Sequence, residues 1–179
     1  TGKDTVATSD DEIYYQLSGT SNYTSFNGGN ITIDGRIRVN NYNANDASGI
    51  TFRVSGLTPV SMKGYAFVIS RYYQTCELKK EYGNSVVASI SSPLYAPIDD
   101  NWHDIKIVVS NNYVKCYIDN VLYVSASVPD AITYSSGFIG LLASNSTSDF
   151  DDIIVTPSPA KIFDIPLAPA NVKAIPDSI

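Results

Sequence analysis

The stretch Asn101 to Asn120, NWHDIKIVVSNNYVKCYIDN, sets the chain's single tryptophan beside its single histidine, Trp102 and His103. A histidine carries protons or holds a metal near neutral pH, but either task needs partners. No second histidine exists to complete a zinc site, and Cys76 and Cys116 lie on separate segments with no CxxC pairing. A serine nucleophile has to be presented on a sharp turn, and no GxSxG sequence occurs. His103 is therefore expected to be structural, facing solvent or a loop carbonyl, while the Trp102 indole caps the end of the core. Carboxylates fare no better as an acid and base pair. An E-x-D-x-E spacing on one strand would put its acids over a single groove, and the chain has none. Asp10, Asp11 and Glu12 are adjacent, so on a strand they alternate between faces.

Reversible contact with a polyhydroxylated ligand needs less: a flat ring to stack on a C–H face and planar polar groups to fork hydrogen bonds. The chain holds 13 tyrosines against 6 phenylalanines, a choice that suits half-wet surfaces. Arg53 is exposed if Phe52 and Val54 are buried, which makes it a suitable fork. Arg71, Tyr72 and Tyr73 cluster at the end of the next strand, and Glu77 and Lys79 face outward on its return strand if Cys76 and Leu78 face in. These six are expected to line one patch on a concave sheet. The competing reading is a solvated, charged edge that discourages aggregation. Tyr65 and Tyr134 are further ring candidates.

Strands must position these groups, because no window keeps apolar residues at helical spacing. Segments 31–39, 49–54, 64–73, 76–83, 85–90, 103–109, 113–119, 121–127, 137–144 and 150–155 are β-rich and separated by turn residues. Ser110-Asn111-Asn112 and Asp119-Asn120 are the tightest turns, since asparagine tolerates positive φ. Residues 103–127 thus read as a three-stranded meander, and the whole as an antiparallel sandwich. Cys116 is in phase with Val114 and Ile118 and is expected to point inward; a buried thiol and a disulfide to Cys76 both remain open.

The length of 179 residues suits one domain and a tail. Residues 1–156 carry the sandwich, and 157–179 form a proline-rich linker whose last dozen residues resemble the lead-in to fibronectin type III modules. A net charge of −6 argues against nucleic acid and against anionic membrane surfaces. No apolar run is long enough to span a membrane. The chain is expected to be part of a larger secreted protein.

WHDIKIVVSNNYVKCYIDN, followed by SSGFIGLLASNSTSDFDDIIV, resembles the C-terminal half of concanavalin A-like jelly-roll domains of the laminin G and carbohydrate-binding-module type. In that family a WH pair opens a strand, a hairpin ends in an Asp-Gly turn, and a G-x-I-G-L strand precedes a final FDDI-x-V strand; here Asp119-Asn120 replaces Asp-Gly. The resemblance runs from about Tyr14 to Val155. It implies an all-β fold, a two-sheet antiparallel β-sandwich. It also implies a non-catalytic carbohydrate-binding module, of the kind appended to bacterial glycoside hydrolases, including fructan-binding ones. A polysaccharide or oligosaccharide would be the partner and the location extracellular, with the domain a monomer within a multidomain chain. Lyases of this architecture use a Tyr-x-Lys-rich strand, which Tyr113 to Tyr117 mimics without the partner Gln-x-His. The family also implies a structural calcium held by Asp151, read as in phase with Ile153 and Val155, and by Asp11 or Asp10 from the N-terminal segment. The rival reading is a structural or adhesive domain of a cell-surface protein.

Overall fold

The computed structural model describes residues 4–7, 30–40, 44, 46–55, 63–82, 85–89, 93–128, 137–144 and 146–157. In chain order the strands are β1 (Asp4–Ala7), β2 (Ile31–Val39), β3 (Ala47–Ser55), β4 (Lys63–Ser70), β5 (Thr75–Tyr82) and β6 (Ser85–Ser89). Then follow β7 (Leu94–Tyr95), β8 (His103–Ser110), β9 (Tyr113–Ile118), β10 (Val121–Ser127), β11 (Phe138–Ser144) and β12 (Thr147–Pro157). No helix occurs among the described residues. One sheet runs β1-β12-β2-β8-β9-β10, the other β11-β3-β4-β5-β6 with β7 paired to β5, and every pairing is antiparallel. The chain is thus an all-β jelly-roll sandwich.

Period-two patterning builds the core. In β2, Ile31, Ile33, Ile37 and Val39 turn inward while Thr32, Asp34, Arg36 and Arg38 alternate outward. They meet Phe52, Tyr65, Phe67 and Leu78 from the opposite sheet, with Phe52 stacked on Tyr65 at a 5.7 Å centroid distance. Each such side chain is worth roughly 1.5–3 kcal/mol on burial. Asn111, Asp119 and Asn120 adopt positive φ at the two hairpin turns, as their residue types predict.

The same alternation inverts the expectation for Trp102 and His103. Position 103 shares parity with Ile105, Ile107 and Val109, so the imidazole goes inward and is buried, and the half-buried indole falls on the outer face. There Trp102 is stacked by two guanidiniums, Arg36 at 5.3 Å and Arg38 at 5.1 Å from its centroid. His103 is a structural clamp. Its Nε2 accepts the Asp99 amide at 3.2 Å, which leaves Nδ1 to donate to Asp119 Oδ2 at 2.8 Å and ties the loop before β8 to the β9–β10 turn.

Cys76 and Cys116 are buried free thiols on opposite sheets. Burial, reinforced by the neighbouring Glu77 carboxylate, pushes the Cys76 thiol up from 9.0 to about 12. The native state therefore keeps a proton that the unfolded chain releases above pH 9, and stability falls as pH rises from 9.0 to about 12. Neither thiol is expected to react with DTNB at pH 8 in the native protein, whereas both react in denaturant, and the melting temperature should drop more steeply above pH 9. Rapid native labelling would contradict this.

Candidate functional site

The outer face of the second sheet holds a pocket of about 230 Å3, lined by Asp46, Ala47, Val68, Ser70, Tyr73, Thr75, Glu77 and Lys79. Strand register explains its shape. Gly49 lies opposite Val68, which lies opposite Glu77, and one step along, Thr51, Ala66 and Lys79 form the next row. Small residues on β3 and β4 thus make a low floor beside the long side chains of β5. Ala66, Val68 and Leu142 form a second buried apolar cluster on this face, so the floor is dry. On the wall, the Lys79 ammonium donates to Glu77 Oε1 at 2.7 Å, with both side chains largely shielded. The carboxylate and ammonium together offer an acceptor and a donor to neighbouring hydroxyls.

Asp46 fixes the end of the pocket. Its carboxylate, 3 % exposed, accepts the Ser70 hydroxyl at 2.5 Å, the Arg71 amide at 3.0 Å and the Tyr72 amide at 3.2 Å. Those bonds hold the turn 71–74, on which Tyr72 and Tyr73 pack edge to face at 4.9 Å and Tyr73 stays 54 % exposed. The Gln74 side chain, at φ 53°, completes the brace by donating to the Arg71 carbonyl at 2.7 Å and accepting the Ile98 amide at 3.0 Å.

Of the six expected binding residues, the pocket gathers Tyr73, Glu77 and Lys79. Tyr72 stands beside Tyr73, outside the lining. Arg71 turns away: its guanidinium donates to the carbonyls of Val39 at 3.1 Å and Asn40 at 3.3 Å and pairs with Asp100 at 3.5 Å, stapling the turn to the end of β2. Arg53 is not exposed. It is only 3 % accessible, because β3 slips register against both neighbours near it and Arg53 itself takes φ 52°, which breaks the alternation that Phe52 and Val54 imply. Its Nη2 crosses to the other sheet and donates to the Asn111 carbonyl at 2.9 Å, and desolvation lowers its pKa. Tyr65 is a fully buried core ring, and Tyr134 lies outside the described residues.

Asp151 also breaks its expected phase. A bulge between Asp151 and Ile154, with Asp152 at φ 52°, separates it from Ile153 and Val155, which pack on the core. Its Oδ2 accepts Arg36 at 2.7 Å and its Oδ1 accepts the Asp152 amide at 2.9 Å, while Asp152 pairs with Arg36 at 2.9 Å. Alongside, Arg38 pairs with the buried Asp149. A carboxylate so engaged by a guanidinium and an amide does not fit a calcium ligand. Among the described residues no group of three His, Cys, Asp or Glu side chains is arranged to hold a metal ion, and Asp11 and Asp10 lie outside them.

Asp46 was missed because NANDASG has neither strand period nor motif, and Ala47, Val68, Ser70 and Thr75 carry no chemical signal in isolation. Only the register of β3, β4 and β5 assembles them.

Residues 3–156 match the family model described as the 3-keto-alpha-glucoside-1,2-lyase-like domain. No curated protein matches the chain. Among solved structures, the carbohydrate-binding module CBM66 from Bacillus subtilis superposes with a TM-score of 0.68 at 20 % identity, over 87 % of this chain and 95 % of that one. Galectin LEC-6 of Caenorhabditis elegans gives 0.55 at 8 % identity, over 86 % and 95 %. The alginate lyase A1-II′ gives 0.58 at 7 % identity, over 82 % and 70 %. Binding modules and a lyase thus share this sandwich, and at these identities the likeness is one of fold.

Proposed function

The chain belongs to the 3-keto-alpha-glucoside-1,2-lyase-like domain family, and from that premise we propose that it is a non-catalytic module that binds neutral carbohydrate. The observation that carries the reading is the pocket on the outer face of the second sheet. It has about the room of one sugar ring, with a dry floor of small residues, a tyrosine at one end and the Glu77–Lys79 pair along one wall. Polar groups in a shallow recess with a flat ring are the elements of reversible glycan recognition. The structural neighbour described as a carbohydrate-binding module supports the same reading. In its native setting the module belongs to a secreted, multimodular protein and keeps a neighbouring polysaccharide-active domain near its substrate.

The test is affinity electrophoresis of the purified domain through gels containing fructans, β-glucans, xylans, mannans or galactans. Retardation by at least one neutral polymer is expected. Unchanged migration in all of them would refute binding and favour the structural or adhesive reading. The family's description points to a second reading, elimination from a 3-keto-glucoside, in which Glu77 would remove the proton next to the ketone. Here its Oε1 already accepts a hydrogen bond from the Lys79 ammonium at 2.7 Å, so that oxygen is turned to its strand neighbour and away from a substrate C–H. Aglycone release from a 3-keto-glucoside by the parent, lost in Glu77→Gln, would establish that chemistry instead.

A further inference from the structure

We infer that the site extends beyond the one-ring pocket to a second subsite on Tyr95, so that the ligand is an oligosaccharide chain whose end occupies the pocket; this deepens the carbohydrate reading and rests on it. Thr75 is the hinge of the argument. It lines the pocket and is paired in register with Tyr95 on β7. Residues opposite one another on antiparallel strands project from the same face, so Tyr95 emerges on the pocket's side of the sheet. The alternation of the following segment agrees, since Ala96 and Ile98 are buried in the core and Pro97 between them is exposed.

Tyr95 is 72 % exposed, the most accessible of the large hydrophobic side chains in the described residues. Its backbone, by contrast, is pinned. Beyond the β7 pairing, the Ala96 amide donates to the Gln74 carbonyl at 2.8 Å, the Ile98 amide donates to the Gln74 side chain at 3.0 Å, and Pro93 and Pro97 flank the pair. An aromatic ring left in water on a fixed backbone, adjoining a pocket wall, loses little freedom when a second sugar stacks on it.

Isothermal titration of parent, Tyr95→Ala and Tyr95→Phe with fructose and 1-kestose, glucose and laminaritriose, galactose and β-1,4-galactotriose, xylose and xylotriose, and mannose and mannotriose tests this. In the series that binds, the trisaccharide should bind the parent about fivefold tighter than its monosaccharide, a stacking-sized gain. Tyr95→Ala should abolish that gain and leave the monosaccharide affinity unchanged, and Tyr95→Phe should keep it, because the ring face acts and the hydroxyl does not. Equal affinity of monosaccharide and trisaccharide, or a Tyr95→Ala variant that keeps the gain, overturns the subsite while the pocket stands. Binding of no sugar in these series, together with unretarded migration in every polymer gel, overturns pocket and subsite alike. Circular dichroism melts of each variant exclude loss of fold as the cause.

Discussion

Lys79→Ala is expected to raise the dissociation constant for the retarding polysaccharide about a hundredfold. Hydrogen bonds from a charged group to ligand hydroxyls are worth roughly 1.5–3 kcal/mol, and 3 kcal/mol corresponds to about that factor. The truncation also takes from Glu77 the ammonium that it meets at 2.7 Å, leaving a shielded carboxylate without that neutralisation beside the ligand. Stability should fall by no more than about 1 kcal/mol, since the pair lies on the surface of a strand whose other face makes the core contacts. Lys79→Arg keeps the charge and should recover part of the affinity. Titration calorimetry on the three proteins decides the matter, and an unchanged constant in Lys79→Ala would move the binding site off this face.

Gly49→Ala should be strongly destabilising. Gly49 sits in β3 opposite Val68, directly beneath the pocket, and an added Cβ would lie 2.0 Å from the Phe67 carbonyl oxygen and 3.1 Å from the Val68 Cα. Both are backbone atoms of a strand paired on either side, so they cannot withdraw as a flexible side chain would. A loss of about 3 kcal/mol is expected, a large part of the roughly 5–15 kcal/mol that holds a domain of this size. Urea denaturation would show it as a shifted midpoint. A variant with the parent's midpoint would mean that β3 and β4 are not so closely apposed.

The sandwich was legible because its strands obey a simple rule. ITIDGRIRV announces both its span and its inward face, and the asparagines of the hairpin turns announce where the chain reverses. The two strands that went unseen, β1 and β7, are short: Leu94-Tyr95 is held by two pairs and the bonds to Gln74, and no period can be read from two residues. Tyr73, Glu77 and Lys79 could be grouped from sequence because one hairpin places them on one face. Arg53 and Asp151 could not be placed, for a shared reason. Each adjoins a slipped register with a non-glycine residue in the left-handed region, and a bulge shifts every later side chain to the other face without leaving a compositional mark. His103 was a failure of a different kind, since its parity with Ile105 was already written in the chain. Its polarity suggested solvent, whereas Asp99 and Asp119 let it be satisfied inside.

The pairing of β1 with β12 brings two strand ends together. Asp4 lies opposite Phe150 and Ala7 opposite Thr147, so the incoming strand starts and the outgoing strand runs on toward the same end of one sheet. The pocket opens on the outer side of the other sheet. The strand ends at Asp4 and Pro157 thus belong to the sheet on the far side of the sandwich from the pocket, and neither lies across its opening.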